Sequence, residues 1–239
     1  NVQTHYRELV RSGNLILSVT GDFDREQLLS LMKPLFHGQL STEAFEPKAV
    51  VAAEVKEPGR LKKTMEREQA VVLQAYPDAG IQDDDFVTGE MLNELFSGMS
   101  SRLFERVRED LGMAYYVGSS RVIGVKGGMF VFYGGTHPSQ AEDVLSEIDT
   151  EIQRVAAGEV SDEELARCRT RLKAARPMGR QTIGARAMHA ALQLCYGLPL
   201  NDDTEHAAKL DAVDAETLAE FAKRNFAGSN KVQLVVGPE

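Results

Sequence analysis

The segment Ser101-Arg-Leu-Phe-Glu-Arg-Val-Arg108-Glu-Asp-Leu-Gly112-Met-Ala-Tyr115-Tyr-Val117 changes its periodicity midway, and its two halves set the architecture. Leu103, Phe104, Val107 and Leu111 recur at helical spacing, giving the first half one apolar side opposite a polar side rich in arginine. Gly112 ends that helix. The chain then enters an extended run, Ala114–Ile123, through paired tyrosines, and a Gly-Val-Lys-Gly turn leads to a second strand at Gly128–Gly134. Arg108 in the last helical turn and Tyr115 at the strand's start can therefore converge across Gly112. Such a pair offers a planar guanidinium and a phenol to the carbonyl oxygens of one extended peptide. The plainer alternative is a surface Arg108 paired with Glu105, and a Tyr115 with its ring packed and its hydroxyl exposed.

Upstream, Thr4–Arg11 is amphipathic, and Asn14-Leu-Ile-Leu-Ser-Val-Thr20 reads as a buried strand ending at Gly21. Asp24 and Gln27 signal the start of a helix over Arg25–Phe36, which Pro34 should kink or end. From His37 to Arg60 no period persists, and Pro47, Pro58 and Gly59 mark a linker. Lys63–Tyr76 reads as a strand centred on Val71–Ala75, and Asp83, Asp84 and Asp85 open a helix through Phe96.

Downstream, Pro138 begins a helix to about Ala157, and Ser161 with Glu164 forms a capping box. Pro177 and Gly179 divide the next stretch into helices over 162–176 and 180–197. Asp214 caps a last helix through Phe226, and Lys231–Val236 is a closing strand. The sum is an α+β fold, an antiparallel-rich mixed sheet with helices packed on one face. Asn230 and Gly237 stand 216 residues after Asn14 and Gly21, each pair bracketing an apolar strand. This echo suggests a tandem unit of about 210 residues. Residues 1–45 would be the tail of a preceding copy, 46–61 a linker, and 62–239 the body of the second copy.

Composition narrows the chemistry. A net charge of −9 repels phosphate backbones, which argues against nucleic acid as a partner. Apolar runs such as Ala70–Leu73 and Met129–Tyr133 fall far short of the roughly 20 residues that span a bilayer as a helix. A basic leader with an apolar core does not precede Thr4, so a signal peptide is absent, removed or outside this sequence. A soluble protein of cytoplasm or periplasm is expected. Cys168 and Cys195 read as small buried residues on helices. His5, His37, His137, His189 and His206 include no two within five residues, so no His-x-x-Glu-His zinc helix is encoded. Asp202-Asp-Thr-Glu205-His206 comes nearest to that motif and reads as an acidic loop leading into a helix. Ser97-Gly98-Met99-Ser100-Ser101 reads as a helix-to-helix corner, and Gly127-Gly128 and Gly134-Gly135 as turns.

Ser-Arg-Leu-Phe…Val-Arg-Glu…Leu-Gly-Met-Ala-Tyr, as it stands at 101–115, resembles the signature of the second half of pitrilysin/insulinase-type zinc metallopeptidases. Val19–Asp24, Glu163–Leu165, Cys195–Gly197 and Val235–Pro238 also fall in that family's order. The resemblance implies half of a two-domain clamshell, facing a first domain that bears the zinc motif. It assigns Arg108 and Tyr115 to holding the substrate backbone and stabilising the oxyanion. It further implies no cofactor in this chain, zinc in a catalytic domain or partner subunit, a peptide or unfolded polypeptide as substrate, and an arrangement compatible with a dimer. Alone, the chain would cleave nothing. Met113 and Tyr116 stand where the family often has Leu and Ser, which bears on substrate preference. Two rival readings are a structural or assembly subunit that kept the fold and lost catalysis, and a stand-alone peptide-binding module.

Overall fold

The computed structural model describes residues 1–36, 38, 40, 58–226 and 228–238. Residues 46–57 of the expected linker, and His37, lie outside the described residues. The chain divides into two compact units, one of residues 1–50 with 176–201 and one of residues 51–175 with 202–239.

The second unit is built on a five-stranded sheet. Its strands are β1 (Gly59–Thr64), β2 (Ala70–Asp78), β3 (Ala114–Ile123), β4 (Gly128–Thr136) and β5 (Val232–Gly237), in the order β1-β5-β2-β4-β3. β1 and β5 are parallel, and the other neighbours are antiparallel. This is the expected α+β arrangement with a mixed, mostly antiparallel sheet. The single strand read at Lys63–Tyr76 is in fact two. The charged run Glu66-Arg-Glu68 separates them, and β1, exposed from Arg60 to Thr64, is an edge strand that among the described residues pairs only with β5. β1 begins at Gly59, inside the stretch read as a linker.

β2 alternates buried and half-buried residues, as a sheet covered on one face should. Val72 and Tyr76 of β2 and Phe130 and Phe132 of β4 enter the core. There they meet α3 (Phe86–Phe96), α4 (Ala141–Ala156) and α8 (Ala215–Asn225). Tyr76, Phe96, Phe130, Phe132, Phe221 and Phe226 form a chain of ring contacts with centroids 4.9–6.1 Å apart. Edge-on contacts of this kind add about 0.5–1.5 kcal/mol per pair beyond area burial.

Helix ends follow the local chemistry. Ser161 and Glu164 form the capping box reciprocally, with Ser161 N 2.9 Å from Glu164 Oε2 and Glu164 N 3.3 Å from Ser161 Oγ. Asp214 Oδ1 accepts from Thr217 N at the start of α8. A 3₁₀ turn, Pro138–Gln140, precedes α4, because His137 Nδ1 caps it by accepting from Ser139 N. α5 (Asp162–Gly179) runs through Pro177 instead of stopping before it, since a proline in the last turn removes only one ladder bond. α6 (Ile183–Cys195) follows. The acidic stretch before His206 is itself helical, as α7 (Asp203–Ala212). Cys168 is buried, but Cys195 is exposed.

In the first unit, α1 (Val2–Leu9) and α2 (Arg25–Phe36) bury no residue. Asp24 Oδ1 accepts from Gln27 N at 2.7 Å, and Pro34 sits inside α2 without ending it. The strand expected at 14–20 is not formed. Leu15, Ile16, Leu17 and Val19 are exposed, and among the described residues no neighbouring strand takes their backbone groups. An unpaired extended segment is not a strand, since its N–H and C=O groups need a partner.

Candidate functional site

The site is built around Gly112, whose φ of +61° turns the chain sharply. Before it lies not an ordinary helix but a π-helical segment, Phe104–Asp110. Its wide bonding shows at the exit, where Leu111 N reaches back five residues to Arg106 O and Met113 N reaches six to Val107 O. Leu103 and Val107 anchor the segment in the core. π-Helical turns are rare and cluster at functional sites.

Three arginines project from this region, and the structure separates them by partner. Arg102 is gripped by Glu164, with Nε 2.6 Å from Oε1 and Nη2 2.8 Å from Oε2, and also donates to the Glu159 carbonyl. Its Nη1 lies 3.8 Å from Glu151, whose side chain is 2% exposed. Arg106 Nε stands 3.3 Å from Glu147. Among the described residues Arg108 pairs only with the exposed Glu109, at 3.7 Å, and stacks its guanidinium 4.7 Å above the Phe104 ring. No Arg108–Glu105 pair forms among the described residues, so that part of the plain alternative does not hold.

After Gly112, β3 opens with a bulge. Ala114 pairs with Thr136 and Tyr116 with Gly135, which leaves Tyr115 with no residue opposite. Bulges re-aim side chains in this way. Tyr115 is 57% exposed, and its side chain makes no hydrogen bond or ring-to-ring contact among the described residues. Tyr116 turns onto the sheet face away from the helices and lies over Gly135, 6.3 Å from the Tyr133 ring. Thr136 Oγ1 donates to the Met113 carbonyl and fixes the strand's entry. Arg108 and Tyr115 thus flank one turn, both exposed, with no hydrogen bond between them among the described residues.

Glu164 carries the largest electrostatic signature near the site. Burial raises its pKa, but hydrogen bonds from Arg102 and from Ser161 outweigh this and bring it down to about 2. It is a committed anion, and sequence reasoning missed its role toward Arg102. For the partners on α4 a signal was available, the four-residue spacing shared by Arg102 and Arg106 on one segment and Glu147 and Glu151 on the other.

Zinc does not fit the residues described. Among them no group of three or more His, Cys, Asp or Glu could hold a metal ion. His206 Nε2 is engaged with Glu90 at 2.6 Å, and His137 is used as a cap. No helix among the described residues is long and apolar enough to cross a membrane.

The family model described as the peptidase M16 inactive domain matches residues 1–172. An uncharacterized zinc protease of Streptomyces coelicolor is 29% identical over 99% of this chain and 53% of its own length. An uncharacterized zinc protease of Rickettsia bellii is 26% identical over 94% of this chain and 54% of its own length. The chain therefore spans about half the length of these curated relatives. The crystal structure of a peptidase M16 inactive domain from Pseudomonas fluorescens superposes with a TM-score of 0.85 at 17% identity, covering 96% of this chain and 55% of that one. With a family model matched over well more than half its residues, this chain belongs to the peptidase M16 inactive-domain family.

Proposed function

We propose that this chain is the substrate-holding, non-catalytic half of a zinc-dependent endopeptidase. In this reading Arg108 and Tyr115 hold the backbone of an extended peptide, and the Tyr115 hydroxyl donates to the oxyanion that develops at the scissile carbonyl. The observation that carries it is the asymmetry around Gly112. Of three neighbouring arginines only Arg108 lacks a structural carboxylate, and the bulge that opens β3 leaves Tyr115 exposed and without a partner. A phenol donor positioned this way acts where charge appears in the transition state, an effect of about 2.7–4 kcal/mol per donor. Zinc belongs, in this reading, to another domain or subunit, since the described residues offer it no ligand set. Residues 1–45 are read as the tail of that preceding domain, which accounts for the apolar side chains that 15–19 leave exposed.

The test is hydrolysis of an unstructured peptide by the complete zinc-bearing protein. Tyr115→Phe and Arg108→Ala should each lower kcat/KM, with Tyr115→Phe losing on the order of a hundredfold. If chelator-sensitive activity falls by less than about tenfold in both, the assigned roles are wrong and a scaffold that has lost catalysis is the better reading.

A further inference from the structure

We infer that Arg102 is a positioning residue for Arg108: held between Glu164 and Glu151, it fixes the rotation of the π-helical segment that presents Arg108 beside Tyr115. The inference rests on the role proposed for Arg108 and adds the device that keeps that residue in place. A π turn holds one residue more than an α turn. Relapse of the segment to α-helical bonding would therefore swing every later side chain about 100° round the axis. Arg108, in the segment's fifth position, would turn away from the direction in which the π register presents it.

Something outside the segment's own backbone must resist that relapse. Downstream, the end is pinned by Met113 N on the Val107 carbonyl and by Thr136 Oγ1 on the Met113 carbonyl. Upstream, the pin is Arg102, in the helical residues just before Phe104. It is 10% exposed, engages Glu164 with two parallel bonds, adds the Glu159 carbonyl, and faces the buried Glu151. Fork-to-carboxylate pairing of this kind fixes orientation as well as distance. Arg106 repeats the pattern one turn along α4, at Glu147, but through a single 3.3 Å contact that is half exposed, so it is a weaker hold. Glu164 is in turn held by the Ser161 cap, so the clamp is anchored on the first turn of α5.

The experiment uses the complete zinc-bearing protein and a fluorogenic peptide. Arg102→Met, Arg102→Lys and Glu164→Gln are each made alone and in an Arg108→Ala background, with thermal unfolding recorded alongside. Glu164→Gln keeps a side chain able to cap α5 while removing the charge, so it remains informative if Arg102→Met does not fold. Alone, Arg102→Met or Glu164→Gln should lower kcat/KM about tenfold, with Arg102→Lys intermediate. In the Arg108→Ala background the further loss should be under about twofold, because the residue acted upon is already gone. Full additive loss in that background, or unchanged activity in both single variants, overturns the positioning role and leaves the role of Arg108 standing. If Arg108→Ala alone is without effect, the proposed function of Arg108 fails first, and the positioning role falls with it.

Discussion

Arg121 of β3 reaches past β4 to Asp78 of β2, with Nε 2.5 Å from Oδ2 and Nη2 3.2 Å from Oδ1, and both side chains are sealed from water. The guanidinium also donates to the Phe86 carbonyl, and it fills the space where a Cβ on Gly89 would stand. This pair ties three strands and the start of α3 together at the end of the sheet remote from Tyr115. Removing one partner strands a buried charge, so Arg121→Met or Asp78→Asn should cost roughly 3–5 kcal/mol in urea unfolding. The double variant Asp78→Leu/Arg121→Met should recover much of that loss. A double variant as unstable as the two losses summed would show that the pair contributes packing more than charge.

The acid limb of stability should report on Glu164. Its pKa of about 2 in the folded chain lies below the ordinary glutamate value near 4.5. A depressed carboxylate contributes stability that is fully present above the ordinary value and is lost as pH falls through the depressed one. The Arg102–Glu164 contribution should therefore fade between about pH 4.5 and pH 2. Glu164→Gln should be less stable at neutral pH and should lose less over that window. Parallel stability curves for the two proteins would refute the coupling.

Gly135 is where a methyl group should move a ring without breaking the fold. A Cβ there would lie 2.2 Å from Tyr116 Cε1, yet Tyr116 is 42% exposed and its ring has solvent to move into. Gly135→Ala should change stability by less than about 1 kcal/mol while abolishing the Tyr116–Tyr133 ring contact in nuclear Overhauser spectra. A loss above roughly 3 kcal/mol, as from a core lesion, would mean that the ring is locked in place.

Arg108 and Arg102 should part company in denaturation experiments. Arg108→Ala removes an exposed pair and a stacking contact, so unfolding free energy should stay within about 0.5 kcal/mol. Arg102→Ala strips Glu164 of its guanidinium partner and leaves Glu151 to Arg154 alone, and should cost roughly 3–5 kcal/mol. Equal losses would erase the distinction between an arginine held for structure and one left available.

Sequence alone carried much of the fold where the controlling interactions are local. Asp24 with Gln27, Ser161 with Glu164, and Asp214 all cap the helices expected of them, because a cap is decided within four residues. The β3–β4 pair was legible for the same reason, its turn lying between its own strands. What escaped depends on distant partners. β1 exists because β5 lies beside it, and 14–20 is not a strand because nothing described lies beside it. The π-helical register and the bulge at Tyr115 each hinge on one residue of slippage, which no apolar period encodes. Arg108 and Tyr115 could be singled out by resemblance, but three arginines in seven residues look alike until their carboxylates are in place. Those carboxylates lie 41 to 62 residues away.

The position of β5 has a consequence for the order in which the sheet can be made. Among the described residues, the last strand in chain order is not at an edge but is inserted between the first and second strands. Until residue 237 has cleared the ribosome, β1 has no neighbouring strand among the described residues, and β2 shows an open flank. A nascent chain will therefore carry an unfinished three-stranded sheet with an exposed edge. That is the species a chaperone would bind and a truncated transcript would leave to aggregate.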